Sequence, residues 1–133
     1  MATLTAEELH QEGVRYYHGD GVKADEKKAI ECFEKAIKLG NLPESKRSLG
    51  HILMGNISRH WAAQTNEQKR GIALLEEAAA DGDTIAKQWY VNQYINEGVG
   101  ALLLKLKFGK SYNYTEAKRK ASLARKYKKE LGI

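Results

Sequence analysis

Residues 13–41 read GVRYYHGDGVKADEKKAIECFEKAIKLGN. Asp25 can accept hydrogen bonds from the free amides of a first helical turn. Beyond it, Ile30, Phe33 and Ile37 recur at helical spacing, with Ala29, Cys32 and Ala36 beside them. Gly40 is suited to the left-handed conformation that ends such a helix. Upstream, Gly13, Tyr16, Gly19, Gly21 and Val22 read as a first helix running into a glycine-shaped turn. The stretch therefore encodes one unit: helix, turn, helix, stop.

The unit recurs. At an offset of 42, Ala29, Phe33, Ala36 and Gly40 become Gly71, Leu75, Ala78 and Gly82. At an offset of 92, Lys28-Ala29 and Leu39-Gly40 become Lys120-Ala121 and Leu131-Gly132, with Arg125 and Lys128 in place of Phe33 and Ala36. The opening helices correspond as well: Leu49, Gly50 and Leu53 begin a second copy, and Ala86, Tyr90, Tyr94 and Gly98 a third. Pro43 sits at a first-turn position, where a missing amide costs nothing. Thr65 or Asn66 can cap the helix of copy two, and Thr115 with Glu116 can start the last helix. Three copies are expected, at about 5–41, 42–83 and 84–133, the last carrying an insertion at about 100–114. Gly13 and Gly50 are read as sites where two helices of a pair approach closely.

The pattern Gly13-x-x-Tyr16-x-x-Gly19-x-Gly21-Val22-x-x-Asp25-x-x-Lys28-Ala29-x-x-x-Phe33-x-Lys35-Ala36-x-x-x-Gly40-Asn41 closely resembles the Sel-one-like repeat. That repeat is a relative of the tetratricopeptide repeat with a longer inter-helix turn. The second copy keeps the pattern with a longer turn at 56–65, and the third departs from it through the insertion. The resemblance implies an all-α fold, a short right-handed α-solenoid of antiparallel helix pairs. It also implies a protein-binding scaffold or adaptor. Some relatives carry a cysteine pair in every repeat and are linked to penicillin binding or hydrolysis. One cysteine in the whole chain departs from that pattern.

A length of 133 residues suits one domain. A single Cys excludes an internal disulfide framework. The first 14 residues have no basic-then-apolar leader pattern, so secretion is not expected. The longest apolar run, Val99 to Leu104, falls far short of the roughly 20 residues a membrane helix needs. A cytoplasmic protein without membrane attachment is the expectation.

Chemistry is sparse. His10, His18, His51 and His60 include no pair at i, i+4, so no metal site is expected. Cys32 reads as a buried small hydrophobe without a basic activator. The pairs Glu7-Glu8, Asp25-Glu26 and Glu76-Glu77 fall at helix starts or on outer faces, which suits solvated charge. Gly19-Asp20-Gly21 has neither a preceding strand nor a following Lys-Ser/Thr, so it is no phosphate loop. We expect no catalytic residue, no cofactor, no small-molecule substrate and no enzymatic activity.

Two binding surfaces remain. Opening helices of such stacks line the concave side, and Tyr and Trp favour interface centres. Tyr16, Tyr90 and Tyr94 are read as core. Tyr17, His51 and Trp89 are read as groove-facing. Trp61 either folds back or stays exposed. The second surface is the insertion with the last helix: Leu104, Lys105, Lys107, Phe108, Lys118, Arg119, Lys126 and Lys129. Leu104, Leu106 and Phe108 alternate with lysines, which suits a short strand, and Leu102, Leu103 and Leu106 equally suit a helix. The insertion is either a cap on the stack or a partner-binding arm.

Charge sharpens this second surface. From Leu103 onward there are ten Lys or Arg against two Glu, a net +8. The preceding residues hold 12 basic and 15 acidic side chains, a net −3. Ala117, Ala121, Ala124, Tyr127 and Leu131 form the apolar stripe of the last helix, and basic residues cover the rest. The expected role is a non-enzymatic protein-interaction module with one protein partner of acidic character. Its small size suits a bacterial or phage inhibitor, such as an immunity protein, or an adaptor. The alternatives are non-specific nucleic-acid binding through the basic helix, disfavoured for want of a motif, and hydrolysis of the cysteine-rich type.

Overall fold

The computed structural model describes residues 3–96, 106–107 and 114–133. Six α-helices with defined bounds and one short 3₁₀ turn lie among the described residues, residues 106–107 are helical as well, and no strand is present among them. The chain divides into two compact units, Met1–Asp83 and Thr84–Ile133.

Unit one holds α1 (Ala6–His18), α2 (Glu26–Gly40), α3 (Pro43–Met54), the 3₁₀ turn His60–Ala62 and α4 (Asn66–Ala80). The boundaries follow from local hydrogen bonding. Thr5 accepts from the Glu8 amide while the Glu8 side chain accepts from the Thr5 amide, a complete capping box. The same device recurs at Thr65 and Gln68. Asp25 accepts from the Lys28 amide at 3.2 Å, as its position predicts. Pro43 occupies the first turn of α3. One stop differs from expectation. Gly40 is still helical, and Asn41 takes the left-handed conformation at φ 53°. The reason is contact rather than torsion: a Cβ on Gly40 would lie 2.5 Å from the Ala6 Cβ.

In this unit α1 packs on α2, α2 on α3, and α3 on α4. Ala29, Phe33, Leu49 and Leu74 form the buried cluster, with Tyr16, Ile30, Ile37 and Ile52 against it. Tyr16 is therefore half-buried and only partly a core residue. Cys32 is also half-buried rather than internal. Burial still pushes its thiol pKa up, with Glu12 adding to the effect, which disfavours a reactive thiolate.

The pairs rest on missing side chains. A Cβ on Gly13 would stand 2.7 Å from the Phe33 ring, and one on Gly50 would stand 2.8 Å from Leu75. Phe33 and Leu75 are the residues that the offset of 42 equates. The second pair is tighter still. A Cβ on Gly50 would meet the Gly71 carbonyl oxygen at 2.8 Å, and one on Gly71 would meet the Gly50 carbonyl oxygen at 2.7 Å. The two backbones touch, and nothing there is flexible enough to give way.

Across the same interface Lys46 is almost fully buried. Its ammonium reaches Asp81 at 2.8 Å and Glu77 at 3.5 Å. Arg47 holds Asp83 at 3.0 Å. The first turn of α3 is thus pinned to the end of α4 and the residues after it.

Unit two holds α5 (Thr84–Tyr94) and α6 (Tyr114–Leu131), which pack together. The last helix begins at Tyr114, one residue before Thr115. Ala117, Ala121, Ala124 and Tyr127 are buried as the stripe predicts, and Leu131 is half-buried. Tyr90 and Tyr94 are buried, with ring centroids 4.5 Å apart, and Tyr127 lies edge-on to Tyr90 at 5.3 Å. Lys87 pairs with Glu130 at 2.9 Å. No described helix is long and apolar enough to cross a membrane.

Replacing Gly71 by Ala should lower stability by about 1–3 kcal/mol, because an added methyl meets rigid backbone rather than a yielding side chain. The urea midpoint measures this. An unchanged midpoint would show that α3 and α4 are not in backbone contact.

Candidate functional site

The first unit carries a pocket of about 180 Å³. Val14, Tyr17 and His18 enter from α1, Phe33 from α2, and Arg47, Ser48, His51 and Ile52 from α3. Spacing explains the selection: 14, 17 and 18 share one helical face, as do 47, 48, 51 and 52. Phe33, only 1% exposed, closes the floor. Tyr17 is 48% exposed at the mouth, edge-on to His18 at 5.2 Å.

Two of the three residues read as groove-facing, Tyr17 and His51, meet in this pocket. Trp89 belongs to the other unit. It is half-buried there, with Tyr90 and Tyr94 edge-on at 6.5 and 6.1 Å. Trp61 settles the open alternative for the long turn: it is 76% exposed.

Electrostatics give the pocket its character. The Arg47 Nε donates to both carboxylate oxygens of Asp83, at 3.0 and 3.1 Å. Loss of water around the His51 ring lowers its pKa, the Arg47 charge lowers it further, and Asp83 opposes both. No carboxylate lines the pocket. The Ser48 hydroxyl makes no hydrogen bond to His18 or His51, so no nucleophile–base pair is assembled among the residues lining the pocket. No group of described His, Cys, Asp or Glu residues is arranged to hold a metal.

Behind the floor, His10 Nδ1 lies 2.9 Å from the Oγ of fully buried Ser45, and its ring lies 5.4 Å from Phe33. Burial lowers the His10 pKa below 6.5, with Arg47 acting the same way and Glu44 and Asp83 against it.

Arg47 was not among the residues singled out by sequence. Its signal was present in the basic pair Lys46-Arg47 one turn into α3 and in Asp81 and Asp83 flanking Gly82. Separation by about 35 residues hid the pairing.

The second predicted surface is only partly described. Leu104, Lys105 and Phe108 lie outside the described residues, while Leu106 and Lys107 are helical and exposed. Lys118, Arg119, Lys126 and Lys129 are all exposed on α6, together with Arg125 and Lys128. Arg119 is engaged by Glu116, from Nη2 to Oε1 at 2.5 Å. Lys120 instead covers the Tyr94 ring, 4.7 Å from its centroid.

Helix pairs with glycine-relieved contacts define a helical-repeat protein, and the comparisons agree. The Sel1 repeat model matches residues 13–41 and 62–83. Two stretches of the chain thus match the Sel1 repeat, in agreement with the resemblance over those residues. No curated protein and no solved structure gives a match. Sel1 repeats generally mediate protein–protein interaction.

Below pH 6.5 the unfolded chain takes up protons at His10 and His51 that the folded chain resists. Stability should be full above that pH and decline as pH falls through it. Thermal midpoints from mildly alkaline to mildly acidic buffer measure the decline. In His10→Gln the acid-side slope should flatten; an unchanged slope would show that His10 is not its source.

Proposed function

We propose that this chain is a protein-interaction module that engages one protein partner through the Tyr17–His51 pocket, as an inhibitor of the immunity type or as an adaptor. The pocket on a Sel1-repeat unit is the observation that carries the reading. Its half-open aromatic mouth, fixed cation and apolar floor have the composition of an interface centre. Exposed Trp61 offers a further aromatic anchor on the same unit. In this reading the helix pair of unit two is a third, degenerate copy of the repeat, the protein works in the cytoplasm, and catalysis has no part.

Affinity capture with the full chain, followed by titration of the recovered partner, tests the proposal. Tyr17→Ala should weaken binding about tenfold or more, near 1.4 kcal/mol. Failure to recover any stoichiometric partner, or full affinity in Tyr17→Ala, Trp61→Ala and the double variant, would refute it.

A second reading rests on α6. Its exposed Lys118, Arg119, Arg125, Lys126, Lys128 and Lys129 can face a phosphate backbone. Binding to duplex DNA or RNA would then fall steeply with salt and vanish in a Lys118→Glu, Lys126→Glu, Lys129→Glu variant. Unchanged electrophoretic mobility of both nucleic acids at low salt excludes it.

A further inference from the structure

This inference rests on the interaction reading and narrows what the pocket accepts. A volume of about 180 Å³ lies below the roughly 300–1,000 Å³ typical of metabolite and cofactor sites. One side chain suits it better than a small molecule. Val14, Phe33 and Ile52 give it an apolar interior, while Arg47, His18 and His51 supply the polar groups.

Arg47 is held in place before any partner arrives. The carboxylate that accepts from its Nε belongs to Asp83, whose side chain is only 8% exposed. The two terminal amines of Arg47 have no hydrogen-bond partner among the described residues. Asp83 offsets much of the guanidinium charge, so attraction at a distance is weak. What remains is a directional need: donors that lose water on docking must find acceptors. A carboxylate meets a guanidinium edge with two parallel bonds, and an amide offers a single acceptor.

We propose that the pocket receives an Asp or Glu side chain from an exposed segment of the protein partner, its carboxylate on the Arg47 terminal amines beside His51 and its stem against Phe33 and Ile52. The partner is thereby selected by a carboxylate at one position rather than by overall acidity.

The test uses the full-length, isotope-labelled chain and two blocked tripeptide probes, acetyl-Ala-Glu-Ala-amide and acetyl-Ala-Gln-Ala-amide, titrated to millimolar concentration by NMR. The Glu probe should shift Tyr17, His51 and Ile52 saturably, with the Gln probe at least tenfold weaker. Arg47→Gln should erase that preference. Because this change leaves Asp83 buried without its cation, Ser48→Trp, which fills the pocket from a half-buried position, provides a second variant and should abolish the shifts. Equal response to both probes, no response, or shifts confined to α6 would each overturn the proposal. A captured partner whose affinity survives Ser48→Trp would leave the interaction reading standing and remove this one. Glu-selective shifts without any recoverable partner would establish the carboxylate preference of the pocket but remove the interaction reading, and with it the partner this proposal requires.

Discussion

The contact between the Gly50 and Gly71 backbones sets the geometry of the first unit. Each lacks the one atom that would strike the other's carbonyl oxygen. With α3 and α4 that close, Leu75 lies over Gly50, and Lys46 and Arg47 reach the carboxylates at and beyond the end of α4. Charged groups this enclosed are unfavourable unless paired. Close approach and pairing are thus one arrangement: the glycines bring the helices together, and the ion pairs fix their register. The Gly13–Phe33 contact repeats the logic in the preceding pair with a ring in place of Leu75.

The pocket follows from the same arrangement. Arg47 belongs to both structures, anchored to Asp83 on one side and lining the cavity with His51 on the other. Phe33 is likewise shared: it covers Gly13, forms the pocket floor and stands against His10. Arg47 and Phe33 each serve both the packing and the pocket, so the pocket is an outcome of how the helices are held.

Much of the fold was legible because its signals are local. Asp25, Pro43 and Thr65 act through amides within three residues of themselves, and the stripes at Ala29-Phe33-Ala36 and Ala117-Ala121-Ala124 depend only on helical period. Glu8 with Thr5 was equally local and was overlooked. Gly40 was misread because torsion and contact leave the same letter in the sequence: the missing Cβ clears Ala6, and Asn41 supplies the turn. The site was less legible because its central pair, Arg47 with Asp83, is close only after folding. Tyr17 and His51, both read as groove-facing, line one pocket, whereas Trp89 on α5 is half-buried against two tyrosines. Charge asymmetry was visible at once, yet it says only that α6 is basic and exposed.

The two tryptophans stand in opposite surroundings. Trp61 is in solvent on the long turn of the first unit, and Trp89 is half-buried among tyrosine rings in the second. Their intrinsic emission therefore differs by unit: a red-shifted, readily quenched signal from Trp61 and a bluer one from Trp89, fed by energy transfer from its neighbours. The chain carries its own pair of optical reporters, one for each half, and needs no added label to show which half responds when something docks.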